Sequence, residues 1–293
     1  WCSAPDWTFS THLGFAPGVE PIVLGDLDRW GAVVGRYQDD AGEPVLGGIE
    51  PLWGFSCPLL LPEPSVHAKE LARELQELDR WNRLVITGLD AESDLYLETI
   101  RAFASLGTVY RAEGIERCVA DLSGGIERWS SRRSSRFRQQ WRRRQRECEA
   151  AGIRVEIVSE AAGLMDRFLA IEATGWKGSE GDGITSPGMA VTYRTMIDRL
   201  GERGRLRAAI ARRDDHDVGF ILGGVRAGIY RGLQLSYSES VADLGVGHFL
   251  QAHELQRLAS EIHTYDLGMD MDYKRRWTDE IRSTVVVIVH RSP

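Results

Sequence analysis

A chain of 293 residues with 43% hydrophobic and 27% charged residues has the composition of a globular protein, long enough for one large or two medium domains. Its longest apolar run, 285–289, falls far short of the roughly 18 residues a membrane span needs, so no membrane partner is expected. A net charge of −7 argues against a general DNA binder, and four cysteines without C-x-x-C spacing or nearby histidines argue against a metal site or a disulfide framework.

The pattern from the N-terminus predicts mixed α/β structure. Strands are expected at 30–37 and 44–57, joined by an Asp-Asp-Ala-Gly turn at 39–42. A helix at 66–81 carries Ala68, Leu71, Leu75 and Leu78 on one face. A strand at 82–87, a helix at 92–105 and two short strands at 108–111 and 116–120 complete this part. Ser123-Gly124-Gly125 marks the expected boundary, dividing the chain into domains 1–122 and 123–293.

Next comes a basic block. Residues 128–146 hold nine arginines and no acid, in a chain that is otherwise acidic. One helix is expected over 131–150, with Phe137, Trp141 and Cys148 on a narrow apolar stripe. Such a local block predicts an anionic partner at one place. A strand at 153–158, a helix around Leu164–Ile171 positions, a Gly-rich loop at 175–187 and a helix from Met189 to Leu200 follow. Three strands (205–212, 218–226, 229–237) then run as a meander joined by tight turns. A helix at 247–262, a strand at 264–267, a short helix at 273–277 and a strand at 283–290 close the chain. The fold class is therefore α/β (α+β), and the first half repeats the order of the second in blurred form.

Two segments carry chemistry. Gly245-Val246-Gly247-His248 opens a helix straight after the meander, where bare backbone N–H groups and the helix dipole suit phosphates. The second is Tyr265-Asp266-Leu267-Gly268 followed by Asp270, Asp272, Tyr273, Lys274 and Trp277. These segments resemble the GNAT superfamily of acyltransferases, and acyl transfer to an amine needs a proton acceptor, polarisation of the carbonyl and protonation of the leaving group. Asp270 and Asp272 are candidates for handling the amine, Tyr273 for protonating the leaving group, and Lys274 for the oxyanion. The chain spells lysine only at Lys69, Lys177 and Lys274, which singles out the last two.

The GNAT pyrophosphate loop reads Arg/Gln-x-x-Gly-x-Gly/Ala. Gly245 and Gly247 match it, while the Arg/Gln position is Ala242. Tyr-Asp-x-Gly, Tyr-Lys-x-x-Trp, Trp176-Lys177-Gly178 and the preceding arginine helix together resemble the CelD-like acetyltransferase subfamily, itself similar to Fem-type ligases with two GNAT-like domains. The resemblance implies two GNAT-like domains, each a mixed, mostly antiparallel sheet flanked by helices. It implies acetyl-CoA or another acyl-CoA as donor, held by Gly245, Val246, Gly247, His248, Leu235 and Tyr237. A small polar amine would be the acceptor, met by Trp176, Lys177, Arg142 and Trp277. The alternative donor is aminoacyl-tRNA, bound through the arginine helix at 128–146, which the missing Arg/Gln at Ala242 favours. A GNAT-like binding module without catalysis is the third reading. A cytoplasmic enzyme without a metal is the expectation.

Overall fold

Two stretches of this chain fold the same way: three antiparallel strands, a helix, and a strand parallel to the last of the three. The computed structural model describes residues 1–175 and 183–292. They form two α/β units, one of residues 2–116 with 283–293, the other of residue 1 with 117–282.

In the first unit, α1 (Pro5–Phe15) precedes the meander β1 (Pro21–Asp26), β2 (Trp30–Gln38) and β3 (Pro44–Gly48). The pair β4 (Leu59–Leu60) adds to β2. Helix α2 (Pro64–Glu77) leads to β5 (Arg83–Leu89), which lies parallel to β3. Then come α3 (Asp94–Phe103) and β6 (Gly107–Asp121). Leu46, Leu71, Leu75, Leu84, Ile86 and Phe103 fill its core.

Helix α1 and strand β1 were not foreseen; β1 is an edge strand with only Leu24 buried, so it lacks clean alternation. The strand expected over 44–57 ends at Gly48. Glu50 ends it, because its carboxylate accepts N–H bonds from Leu52, Trp53, Phe55 and Ser56 and curls the chain into a loop. The two short strands at 108–111 and 116–120 are one strand, β6, which runs through Gly114, where a Cβ would collide with Thr284.

The second unit begins with α4 (Gly125–Ser131) and α5 (Ser135–Ala150). One helix was expected over 131–150; there are two, because the Ser134 side chain accepts from the N–H of Phe137 and starts a new one. Strand β7 (Arg154–Val158), α6 (Leu164–Ala173) and α7 (Pro187–Glu202) come next. The meander is β8 (Leu206–Arg213), β9 (His216–Arg226) and β10 (Ile229–Tyr237). Both of its turns are two-residue turns with positive φ throughout, Asp214-Asp215 and Ala227-Gly228. A 3₁₀ turn (Glu239–Leu244) leads to α8 (Val246–Leu258), β11 (Thr264–Met269) and α9 (Asp272–Arg275). The last strand is β12 (Glu280–Arg291).

The order in the first unit is β1-β2-β3-β5-β12-β6, and in the second β6-β11-β10-β9-β8-β7. Each parallel strand therefore gains its second neighbour from the other half of the sequence: β12 beside β5, and the end of β6 beside β11. The boundary expected at 122/123 lies just past the observed division at 116/117, and the returning segment 283–293 makes the first unit discontinuous.

Strands β10 and β11 pair over three residues only, 229–231 with 264–266. A bulge at Gly232–Gln234 and another at Asp266–Gly268 follow at once on the two strands. Bulges re-aim a strand, and beyond them β10 and β11 share no further pairing. That fork sets the stage for the site.

Candidate active site

The fork's vertex holds a buried ion pair. Arg231 on β10 donates to Asp266 on β11 at 2.5 Å, and Arg117 on β6 reaches the other carboxylate oxygen at 3.3 Å. The N–H of Gly268 adds a third donor at 2.9 Å. Burial alone would raise the Asp266 pKa; the two guanidiniums and the amide outweigh it and hold it below the usual carboxylate range. Gly268 has φ +82°, and a Cβ there would touch the Arg231 guanidinium.

One wall of the fork faces α8. Gly245 caps that helix in the left-handed region at φ +73°, with no side-chain cap, so the first-turn N–H groups have no partner from within the helix. A Cβ on Gly247 would sit 3.0 Å from the Tyr237 ring and 3.1 Å from Leu235. The structure thus brings Leu235, Tyr237, Gly245, Val246, Gly247 and His248 together. It also adds a residue the sequence reading missed. Arg144 on α5 donates from Nη1 to the Asp243 carbonyl at 2.9 Å, and its guanidinium lies against Gly245. A cation thus reaches the loop from another helix, although Ala242 supplies none. No spacing rule links residues so far apart.

Beside the loop, Trp129, Trp277 and His248 stack in series, with centroids 5.8 and 6.0 Å apart. Phe137 and Trp141 close the group from α5. Trp277 is only 2% exposed, so it works as the hub of this aromatic cluster as well as lining a crevice with Gln140, Arg144 and Arg276. Burial, then Arg276 and Arg144, lower the His248 pKa, which leaves the imidazole neutral near pH 7.

The expected catalytic residues follow β11. Asp270 is clamped by Arg275 through Nε (3.0 and 3.1 Å) and Nη2 (2.5 Å), and it accepts from the Cys118 thiol at 3.1 Å. Those partners, Arg275 foremost, hold its pKa down to about 2. A carboxylate so committed is a weak proton acceptor. Asp272 is fully solvated, 3.9 Å from Arg275. Lys274 donates from Nζ to the Met269 carbonyl at 3.1 Å and lies 5.7 Å from the Tyr273 ring centre. Tyr273 is 49% exposed, and partial burial with neighbouring Cys118 and Tyr237 raises its pKa, so its hydroxyl keeps its proton at neutral pH. Arg142 is exposed on α5 and has no ion pair among the described residues. Trp176 and Lys177 lie outside the described residues.

Neither Cys118 nor Cys148 competes as a nucleophile. Burial pushes Cys148 up to about 11, and it also raises Cys118. Iodoacetamide at pH 7 should leave both unmodified in the native protein and label them after unfolding, read by peptide mass. Among the described residues no group of three His, Cys, Asp or Glu side chains could hold a metal ion, and no helix is long and apolar enough to cross a membrane.

Comparison with known proteins agrees with this geometry. Residues 135–275 match the Acetyltransferase (GNAT) domain family. No curated protein matches in sequence. Among solved structures, FemX is similar with a TM-score of 0.66 at 11% identity, over 97% of this chain and 91% of its own. L-PGS from Bacillus licheniformis gives 0.60 at 12% identity, with the same two coverages. A conserved protein of unknown function from Bacteroides thetaiotaomicron gives 0.67 at 10% identity, over 98% of this chain and 90% of its own. The chain has a GNAT-superfamily fold in a two-lobed α/β architecture, similar to these proteins across nearly its whole length.

Proposed function

We propose that this protein is an acyltransferase that takes an aminoacyl group from aminoacyl-tRNA and joins it by an amide bond to the amine of a small polar acceptor. The observation that carries the choice of donor is the outer face of α5. At 100° per residue, Arg136, Arg142, Arg143 and Arg146 fall on one arc, and all four are exposed. Arg143 shares Glu147 with Arg144; Arg136, Arg142 and Arg146 make no ion pair among the described residues. The opposite face of α5 brings Arg144 to the Gly245 loop. A nucleic acid lying on α5 would thus have its end near the fork. Likeness to FemX over both units, and Ala242 in place of the motif's Arg/Gln, support the same donor.

In this reading the acceptor nitrogen attacks the ester carbonyl. The C–N bond forms, the C–O bond to ribose breaks, and Tyr273 gives its proton to the departing oxygen. Lys274 stabilises the charge on the carbonyl oxygen. Asp270, fixed as a carboxylate by Arg275, orients the acceptor, and solvated Asp272 takes up the released proton. Charged tRNA is a cytoplasmic reagent, which keeps the protein in that compartment.

The second reading keeps the chemistry and changes the donor to acetyl-CoA or a longer acyl-CoA. The left-handed Gly245 turn with Leu235 and Tyr237 beneath it favours this reading, as do the CelD-like sequence motifs. Filter binding of charged tRNA, beside calorimetric titration of acetyl-CoA, separates the two. Engaging three phosphates should make log K fall with log salt at a slope of about −2 to −3. Arg142→Glu with Arg146→Glu should abolish most of that slope. RNA binding that does not respond to salt, or micromolar acetyl-CoA binding lost in Gly245→Asp, would transfer the assignment to acyl-CoA.

A further inference from the structure

Three carboxylates are buried in the second unit among the described residues: Glu172, Glu254 and Asp266. Two have a guanidinium on them. Arg257 pairs with Glu254, and Arg231 and Arg117 pair with Asp266. Among the described residues, Glu172 has no cation within ion-pair distance. Its side chain is fully buried on α6, and its partners are neutral: the N–H of Ile184 at 2.5 Å on Oε1 and Nε2 of Gln234 at 3.1 Å on Oε2. Two carboxylate oxygens offer about four acceptor positions; these bonds use two. A buried carboxylate without a counter-charge is expensive.

A second buried group on the same face is also unsatisfied. Ser236 is 2% exposed, and its hydroxyl has no hydrogen-bond partner among the described residues. It sits two residues after Gln234 on β10, past the bulge, so both side chains leave the same face of the strand. Register confirms which face. Ser236 lies opposite Phe220 on β9, and the Phe220 ring stacks on Phe168 of α6 at 4.0 Å. Leu235 and Tyr237 leave the other face, toward Gly247 on α8. Gly183 gives Glu172 its room, since a Cβ there would fall on Oε1. The donor loop and this polar patch therefore occupy opposite faces of the same stretch of β10.

We propose that Glu172, with Gln234 and Ser236, is the seat of a primary ammonium group. The carboxylate supplies the missing charge partner, the Ser236 hydroxyl accepts one N–H, and Gln234 holds the carboxylate in place. The proposal rests on the acyl-transfer reading for its purpose and names the polar end of a substrate. The ammonium can come from an amino group of the acceptor other than the attacking one, or from the α-amino group of an aminoacyl donor.

Two pairs of small probes, titrated by calorimetry and thermal shift, distinguish these sources and test the site. L-alanine methyl ester against methyl L-lactate reads the aminoacyl source. Ethanolamine against ethylene glycol reads the acceptor source. In at least one pair the ammonium compound should bind at least tenfold more tightly than its oxygen counterpart, and Glu172→Gln should erase that difference. Ser236→Ala should weaken ammonium binding several-fold. Without ligand, Glu172→Gln should melt at or above the native temperature, since the amide oxygen keeps one acceptor bond, Gln234 turned over can accept from the new NH2, and a lone buried charge is removed. Equal binding within both pairs, no binding in either, or binding that survives in Glu172→Gln would overturn the proposal. So would a marked loss of stability in that variant, which would make Glu172 a structural tie. Ammonium binding needs no transfer activity, so it can stand if the donor assignment fails.

Discussion

Asp266→Ala should destabilise the protein by about 3–5 kcal/mol, read as a fall in the denaturant midpoint. The cost is mainly that of the charges left behind. Arg231 is almost wholly buried and Arg117 largely so, and both lean on this carboxylate. Replacing the central pair together, as Arg231→Met with Asp266→Leu, should recover a large part of the loss, because apolar side chains of similar volume need no partner. Acid gives an independent check. The folded-state pKa of Asp266 lies below its unfolded value. Its contribution is therefore complete above the unfolded value of about 3.9 and disappears as pH falls through the lower folded value. Stability of the native protein should decline over that acid window, and less steeply in Asp266→Ala. A variant that unfolds with the native midpoint would mean that the vertex of the fork is not held by this pair.

Tyr273→Phe should slow transfer by about 10²–10⁴-fold, the usual worth of a positioned general acid, with little change in substrate binding. The ring is half exposed and its hydroxyl donates to no protein group among the described residues, so the change should leave the melting temperature near native. The sign of the pH effect follows from the raised pKa: the acid form persists through neutral pH and is lost only on the alkaline side. The native rate should thus fall at high pH while the residual rate in Tyr273→Phe stays flat there. An active variant with native turnover would remove Tyr273 from the chemistry and leave the proton to solvent.

The sequence made the second unit readable because its strands obey local rules. Turn residues at Asp214-Asp215-His216-Asp217 and Ala227-Gly228 announce the meander, the first turn proving to be Asp214-Asp215 alone, and Gly245-x-Gly247 announces the loop at the start of α8. The walls of that loop were legible for the same reason: Leu235 and Tyr237 precede it on the adjoining strand. Three other features depend on contacts between distant residues. Arg144 meets Gly245 only because α5 lies against α8, and Cys118 meets Asp270 only because β6 borders β11. Glu172 gave no signal, since one acid on an otherwise apolar helix face reads as an ordinary solvated residue. In the first unit, one side chain, Glu50, turned an expected strand into a loop by collecting four backbone N–H bonds. A pattern of apolar residues does not register that competition.

The crossed strands also set the order in which the protein can be made. Strand β5 needs β12 as its second neighbour, and β12 is the last strand of this sequence. During synthesis the first unit therefore waits with β5 open along one edge while the residues between β5 and β12 emerge. The second unit, whose borrowed strand β6 precedes the rest of it, can close first. Maturation should run backwards relative to translation, with the N-terminal portion completed last. An open edge is a template for wrong pairing, so chains stalled before β12 should be the form that aggregates.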